Sequence, residues 1–178
     1  MQGALLPRPA GSIHRFTVSR RVPAATRRRV DAAGEILRRS GSVEELDEAY
    51  SVLSRWRASH AFPLNTIAMV LRSKVKQAGI VGLYAQRLKR TPAVVEKLRR
   101  FRSMQLSQMQ DIGGCRVVLN SVESVRAVRA RYNVGWSRHE LTNEKDYIGE
   151  PKASGYRSIH LVFRYQSPTG NPYDGRLI

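Results

Sequence analysis

The spacing of apolar residues changes once along this chain, and that change limits the folds open to it. Up to Phe101 they recur at helical intervals. The stretch 26–39 sets Val30, Ala33, Ile36 and Leu37 on one face and halts at Ser40-Gly41. Ser42-Val43-Glu44-Glu45 has the form of a capping box, with Leu46, Ala49, Leu53 and Trp56 as the apolar stripe behind it. A third helix is expected over 63–77 with Gly79 as its stop. Thr91 and Pro92 form an N-cap and first-turn pair ahead of Val94, Leu98 and Phe101. From Cys115 the period shortens. "CRVVLN" (115–120) is a β-rich run, 121–132 is a short helix, and strands are expected over 137–141, 156–165 and 173–178. Helices followed by strand–helix–strand–strand–strand give an α/β (α+β) domain: a mixed β-sheet with flanking helices.

A chain of 178 residues, 42% of them hydrophobic, can bury a core as one domain. No apolar run reaches a membrane span. The one cysteine, Cys115, has no partner for an internal disulfide, and four scattered histidines show no zinc spacing. Together these features describe a cytoplasmic protein. Its net charge of +17 is unevenly placed: no acid precedes Asp31, and within 72–102 ten basic residues accompany one acid, Glu96. Such a balance calls for a polyanion, either nucleic acid or a phosphate-rich small molecule, although solvated basic helix faces give the same count. Residues 1–22, acid-free and holding Pro7, Pro9 and Gly11, read as a flexible basic arm ahead of a domain over 23–178.

Three stretches carry residues suited to chemistry. In "QRLKRTPAVVEKLRRF", Arg87 and Lys89 precede a helix start that itself attracts anions, and Lys97 and Arg100 lie on the polar side of that helix. They suit a polyphosphate, or else form a solvated basic face. In "QMQDIGGCRVV", Asp111 stands where a turn passes into a strand; it is a Mg²⁺ ligand or a plain turn residue. Strict alternation sets Asp111 and Arg116 on opposite faces, so their joint use requires Gly113-Gly114 to break the register. In "NEKDYIGEPKASGYRSIH", Lys152 precedes a Gly-containing turn, and Tyr156, Ser158 and His160 share the strand face opposite Ile159, Leu161 and Phe163. An exposed tyrosine on a polar face is a stacking platform for a base.

Taken in order, these stretches resemble the synthetase domain of the RelA/SpoT family over 55–178. The family's Arg-x-Lys-x-x-x-Ser looks like Arg87, Lys89 and Ala93. Its Asp-x-x-Gly-x-Arg looks like Asp111, Gly114 and Arg116, and its "KDYI…PK…GYRS-H" block appears over 145–160. The version here is similar to the short, single-domain branch. The resemblance implies a nucleotidyltransferase-like synthetase domain preceded by N-terminal helices. It also implies an ATP-dependent pyrophosphokinase that moves the β,γ-pyrophosphate of ATP to the 3′-hydroxyl of GDP or GTP. By carry-over Arg87 and Arg116 sandwich adenine, Lys89 and Lys97 hold ATP phosphates, and Asp111 is the catalytic residue that binds Mg²⁺. Tyr156 then stacks on guanine, and Lys152 and His160 meet the acceptor phosphates.

The sequence departs from the family pattern in two places. Ala93 stands where the family has a phosphate-contacting serine. The family also continues past "YDGRLI" into Glu-x-Gln-x-Arg-Thr, whose glutamate completes the Mg²⁺ site; Glu144, Asp146, Glu150 and Asp174 are the carboxylates weighed as substitutes, and none is convincing. A chain ending before that motif is expected to be inactive and poorly folded. Two other readings therefore stand beside alarmone synthesis: a toxin-type relative that pyrophosphorylates tRNA 3′ ends, for which +17 suits RNA, and a catalytically dead nucleotide- or RNA-binding domain. An assembly of several copies is compatible with each.

Overall fold

The computed structural model describes residues 26–134 and 137–178. The expected arm, 1–22, lies outside them. In chain order the elements are α1 (Arg27–Arg39), α2 (Val43–Ala58), α3 (Ala61–Gln77), β1 (Leu83–Leu88), α4 (Thr91–Arg100) and a 3₁₀ turn (Leu106–Gln108). β2 (Gly113–Val118), α5 (Val122–Ala130), β3 (Glu140–Asp146) and β4 (Ile159–Arg164) follow. None of these helices is long and apolar enough to cross a membrane.

The helices start and stop where local chemistry dictates. Thr26 caps α1 by accepting from the Arg29 amide, and Ser40 ends it at φ 58°. The Ser42/Glu45 capping box opens α2 in both directions, Glu45 N to Ser42 Oγ at 3.2 Å and Ser42 N to Glu45 Oε2 at 2.9 Å. α3 begins two residues before the expected start. Pro63 is tolerated there because the first-turn amides have no helical partner in any case. In α4 the cap is Arg90, without a side-chain bond, so Thr91 is the first helical residue rather than the cap.

Two apolar cores follow. Val30, Ala33 and Leu37 of α1 meet Val52, Leu53 and Trp56 of α2, Val94 and Leu98 of α4, and Leu106, Met109 and Ile112. Fully burying each of the larger side chains contributes roughly 1.5–3 kcal/mol. Gly34 lets the 3₁₀ turn approach, since a Cβ there would lie 2.8 Å from Leu106 Cβ. Asp31 fixes the same turn by accepting from Ser107 N and Oγ, both at 2.8 Å. The second core joins Leu64 and Ile67 of α3 to Phe163 of β4 and to Ile178, with Leu88, Cys115, Tyr132 and Leu161 around it.

The α/β class expected from the sequence holds, but the strands form two antiparallel ladders, β1–β2 and β3–β4, instead of one mixed sheet. β1 was not expected. Its six residues are largely exposed, and its extended form comes from pairing with β2. β3 begins at Glu140 and runs to Asp146, against an expected 137–141, with a register shift between Leu141 and Asn143. β4 starts at Ile159, so Tyr156 and Ser158 precede the strand. Of the strand expected over 173–178, residues 175–178 bond to β4 and to Tyr165 just after it, through Phe163 N to Ile178 O (2.8 Å), Tyr165 N to Arg176 O (2.8 Å) and Gly175 N to Tyr165 O (2.8 Å). The preceding turn is closed by Asp174, which accepts from Ser167 N, Ser167 Oγ and Asn171 N.

Candidate functional site

The β1–β2 register decides which side chains share a face. Arg87 opposes Gly114 and Ala85 opposes Arg116, so all four lie on one face, with the arginines on a diagonal. The other face turns Leu88 and Cys115 onto the second core. Arg87 and Arg116 are exposed, and the space above Gly114 is open. Two planar cations thus flank an open slot on this face, floored by one methyl group and one glycine. Leu83 and Val118, paired on the same face, remain 77% and 55% exposed and extend it with apolar surface.

The expected broken register is absent. Gly113 and Gly114 sit in a regular ladder, and Asp111 lies in the turn before β2. Gly113 is needed for close approach: a Cβ there would meet Ile178 Cδ1 at 3.2 Å and Leu64 Cβ at 3.5 Å. Buried Ile112 anchors the turn, and its carbonyl accepts from the Lys89 amide at 2.8 Å, which carries the ladder one step further. Lys89 therefore faces Asp111 across the end of the ladder. Arg57 fixes the Lys89 backbone by donating to its carbonyl at 2.8 Å.

Asp111 accepts from both lysines, Lys97 Nζ to Oδ1 at 2.7 Å and Lys89 Nζ to Oδ2 at 3.2 Å. The ammoniums are largely covered, while the carboxylate is about half exposed at 49%. Burial works against the charge of Asp111, yet the Lys97 and Lys89 ammoniums outweigh it and hold the carboxyl below its ordinary range. Among the described residues no group of three or more His, Cys, Asp or Glu could hold a metal. One carboxylate with both oxygens engaged does not fit a metal held by protein ligands alone. It fits an ion carried in on phosphates, since Mg²⁺ typically takes one or two carboxylates together with phosphate oxygens and water.

The third stretch forms an aromatic cluster. A turn closed by Gly155 N to Lys152 O (2.8 Å), with Gly155 at φ 77°, brings Tyr156 back over the start of β4. Its hydroxyl is hydrogen-bonded to His160 Nε2 at 2.8 Å, and the two rings meet edge-on. Tyr156 stays 45% exposed, which agrees with a platform and not with a core residue. Lys145 pairs with His160 across the ladder. Burial, then the positive Lys152 and Lys145, lower the His160 pKa. Tyr147, two residues beyond Lys145, was not among the expected site residues. Its ring lies 4.3 Å beneath Lys152 Nζ. The signal was present in "KDYI", but nothing local says which way that ring turns.

Glu144, Asp146 and Asp174 are committed elsewhere. Glu144 accepts from Arg129 through both oxygens at 2.6 Å, and Asp146 pairs with Arg126. Asp174 is spent on its turn.

The family model for the region found in RelA/SpoT proteins matches residues 86–174, half of the chain, and spans all three stretches. The chain belongs to the RelA/SpoT family. Among curated relatives, GTP pyrophosphokinase YjbM of Bacillus subtilis is 35% identical over 113 residues, covering 54% of this chain and 52% of that protein. The chain thus spans about half the length of that relative. Two solved structures are similar in fold over part of the chain. A GTP pyrophosphokinase family protein from Streptococcus pneumoniae shares 28% identity at a TM-score of 0.56, covering 64% of this chain and 60% of that one. Small alarmone synthetase 1 from Bacillus subtilis, bound to its product pppGpp, shares 26% at 0.57 with 66% of each chain covered.

Proposed function

We propose that this protein makes (p)ppGpp-type alarmones by transferring pyrophosphate from ATP to the 3′-hydroxyl of GDP or GTP. The hydroxyl oxygen bonds to the β-phosphorus of ATP while the bond from that phosphorus to the α,β-bridging oxygen breaks. AMP leaves and the hydroxyl gives up its proton. The observation that carries the reading is the Lys89–Asp111–Lys97 triad at the mouth of the Arg87/Arg116 slot. Both ammoniums are held in place by a carboxylate before any substrate arrives, and a polyphosphate can exchange for that carboxylate without moving the backbone. In this reading Arg87 and Arg116 take the adenine between them, and the small Ala85 and Gly114 leave that face uncovered for it. A Mg²⁺ ion brought by the nucleotide and held at Asp111 would neutralise charge developing on the transferred group. Around it, Lys89 and Lys97 hold the phosphates in line, which is most of what phosphoryl-type transfer asks of a protein. Tyr156 offers its exposed ring to the acceptor base, and Lys152 and His160 meet the acceptor phosphates. The product-bound relative supports a guanosine polyphosphate as the outcome of this chemistry.

The test is direct. Incubate a version of the protein that carries the family's Glu-x-Gln-x-Arg-Thr segment with ATP labelled at the γ-phosphorus, with Mg²⁺ and GDP, and separate the products by thin-layer chromatography. Label on a guanosine tetraphosphate, with AMP in equal amount, is expected. Label that moves to tRNA and not to GDP would replace the acceptor in this reading, and no transfer to either would refute it.

A further inference from the structure

Lys152, Tyr156 and His160 converge on Tyr147, which lies within "KDYI" but was assigned no role from the sequence. Tyr147 carries the Lys152 ammonium 4.3 Å above its ring, against 5.3 Å from the same ammonium to the Tyr156 ring. Its ring meets Tyr156 at 6.0 Å and 66°, and His160 at 5.1 Å and 89°. These contacts are all made by the ring. The backbone beneath it is fixed from both sides. Tyr147 N donates to Ser158 O at 2.8 Å, tying the end of β3 to the residue before β4. Asp146, the residue before it, accepts from the Ile148 amide at 2.9 Å and the Gly149 amide at 3.0 Å, and pairs with Arg126 of α5.

We propose that Tyr147 is a positioning residue for acceptor binding: its ring holds Lys152, Tyr156 and His160 as one unit, so that the base platform and the phosphate contacts are set before the nucleotide arrives. The inference rests on the acceptor reading above. The physical reason is the freedom of the groups concerned. Lys152 has a long flexible stem and no carboxylate among its ring contacts, so an ammonium on an aromatic face is what limits where it points. The Tyr156–His160 bond fixes those two relative to each other, and the Tyr147 ring touching both fixes the pair relative to the ladder. A pre-set site binds more tightly because less ordering is left to occur on binding.

GDP and ATP affinities of the intact protein, measured by calorimetry, test this with three changes at one position. Tyr147→Leu should weaken GDP by about ten-fold, the size that one cation–π contact and one aromatic edge contact support together, and leave ATP unchanged. Tyr147→Phe should keep the wild-type value, since the ring makes the contacts. Pentafluorophenylalanine at 147 keeps the shape of the ring but reverses its charge distribution. It should therefore behave as Tyr147→Leu, and it carries the test if the leucine variant fails to fold. Lys152 side-chain proton signals should be shifted upfield by the ring in wild type and Tyr147→Phe alone. Full GDP affinity in the fluorinated protein, or equal loss of GDP and ATP, would overturn the role. Tyr156→Ala, run in parallel, separates the two levels. If it loses GDP while Tyr147→Leu does not, Tyr147 alone is misassigned. If wild type itself binds no GDP, the acceptor reading falls and this inference with it.

Discussion

Mild acid should loosen the seat of the β1–β2 ladder through His60 before most carboxylates are protonated. His60 lies at the joint between α2 and α3 and is 1% exposed. Its Nδ1 is 2.8 Å from the Trp56 carbonyl, so the neutral ring donates there. Burial lowers its pKa from 6.5 to about 4, the Trp56 carbonyl partly opposes this, and the Arg176 guanidinium adds to it. A second proton would place a charge among the Trp56 ring, 5.0 Å away, and Arg176, itself stacked 4.1 Å over Trp56. The folded state holds the neutral form, so the unfolded chain binds more protons and stability falls as pH drops. The loss begins near the unfolded value of 6.5 and saturates below about 4. At pH 5 the unfolded histidine is mostly protonated and the folded one is not, which costs about 2 kcal/mol relative to pH above 7, at 1.36 kcal/mol per unit. The same joint seats β2, since a Cβ on Gly113 would lie 3.6 Å from His60 Cβ.

The assay is urea unfolding at pH 7.5 and 5.0 for wild type and His60→Asn, whose amide nitrogen can still donate to the Trp56 carbonyl. His139 and His160 also have lowered pKa values, and both are present in the two proteins, so the difference between the two proteins isolates His60. The variant is expected to be less stable at pH 7.5 but to lose about 2 kcal/mol less on acidification. An equal loss in both proteins would refute the reasoning.

Other substitutions read the candidate site. Asp111→Asn frees Lys89 and Lys97 from their carboxylate, so metal-free ATP should bind several-fold more tightly by calorimetry, while label transfer with Mg²⁺ falls by roughly 10²–10³. Weaker metal-free binding would mean instead that Asp111 is needed to hold the lysines in place. Tyr156→Ala should weaken GDP binding by roughly 1–3 kcal/mol and leave ATP unchanged in the same titration; equal loss of both nucleotides would make Tyr156 a structural residue.

What the sequence determined by itself is whatever short-range chemistry decides. The helical stripes of α1 and α2, the Ser42/Glu45 box and the Gly79 stop were legible because a helix closes its hydrogen bonds within its own residues. The three motif stretches, and through them the family, were legible because their spacing along the chain is itself the signal. The tertiary structure decided what depends on pairing. "LYAQRL" shows no strand pattern and is extended because β2 lies beside it; that pairing puts Arg87 and Arg116 on one face with Ala85 and Gly114 between them. The sequence put Asp111 at the turn into a strand and, by strict alternation, on the face opposite Arg116; only the folded chain shows that its carboxylate meets Lys89 and Lys97. Tyr156 was read as part of β4 and in fact precedes it, yet it still reaches His160, because the turn at Gly155 folds it back. Tyr147 could not be assigned from spacing at all. Its contacts join the end of β3 to residues 152–160, and only the closed ladder brings those segments together.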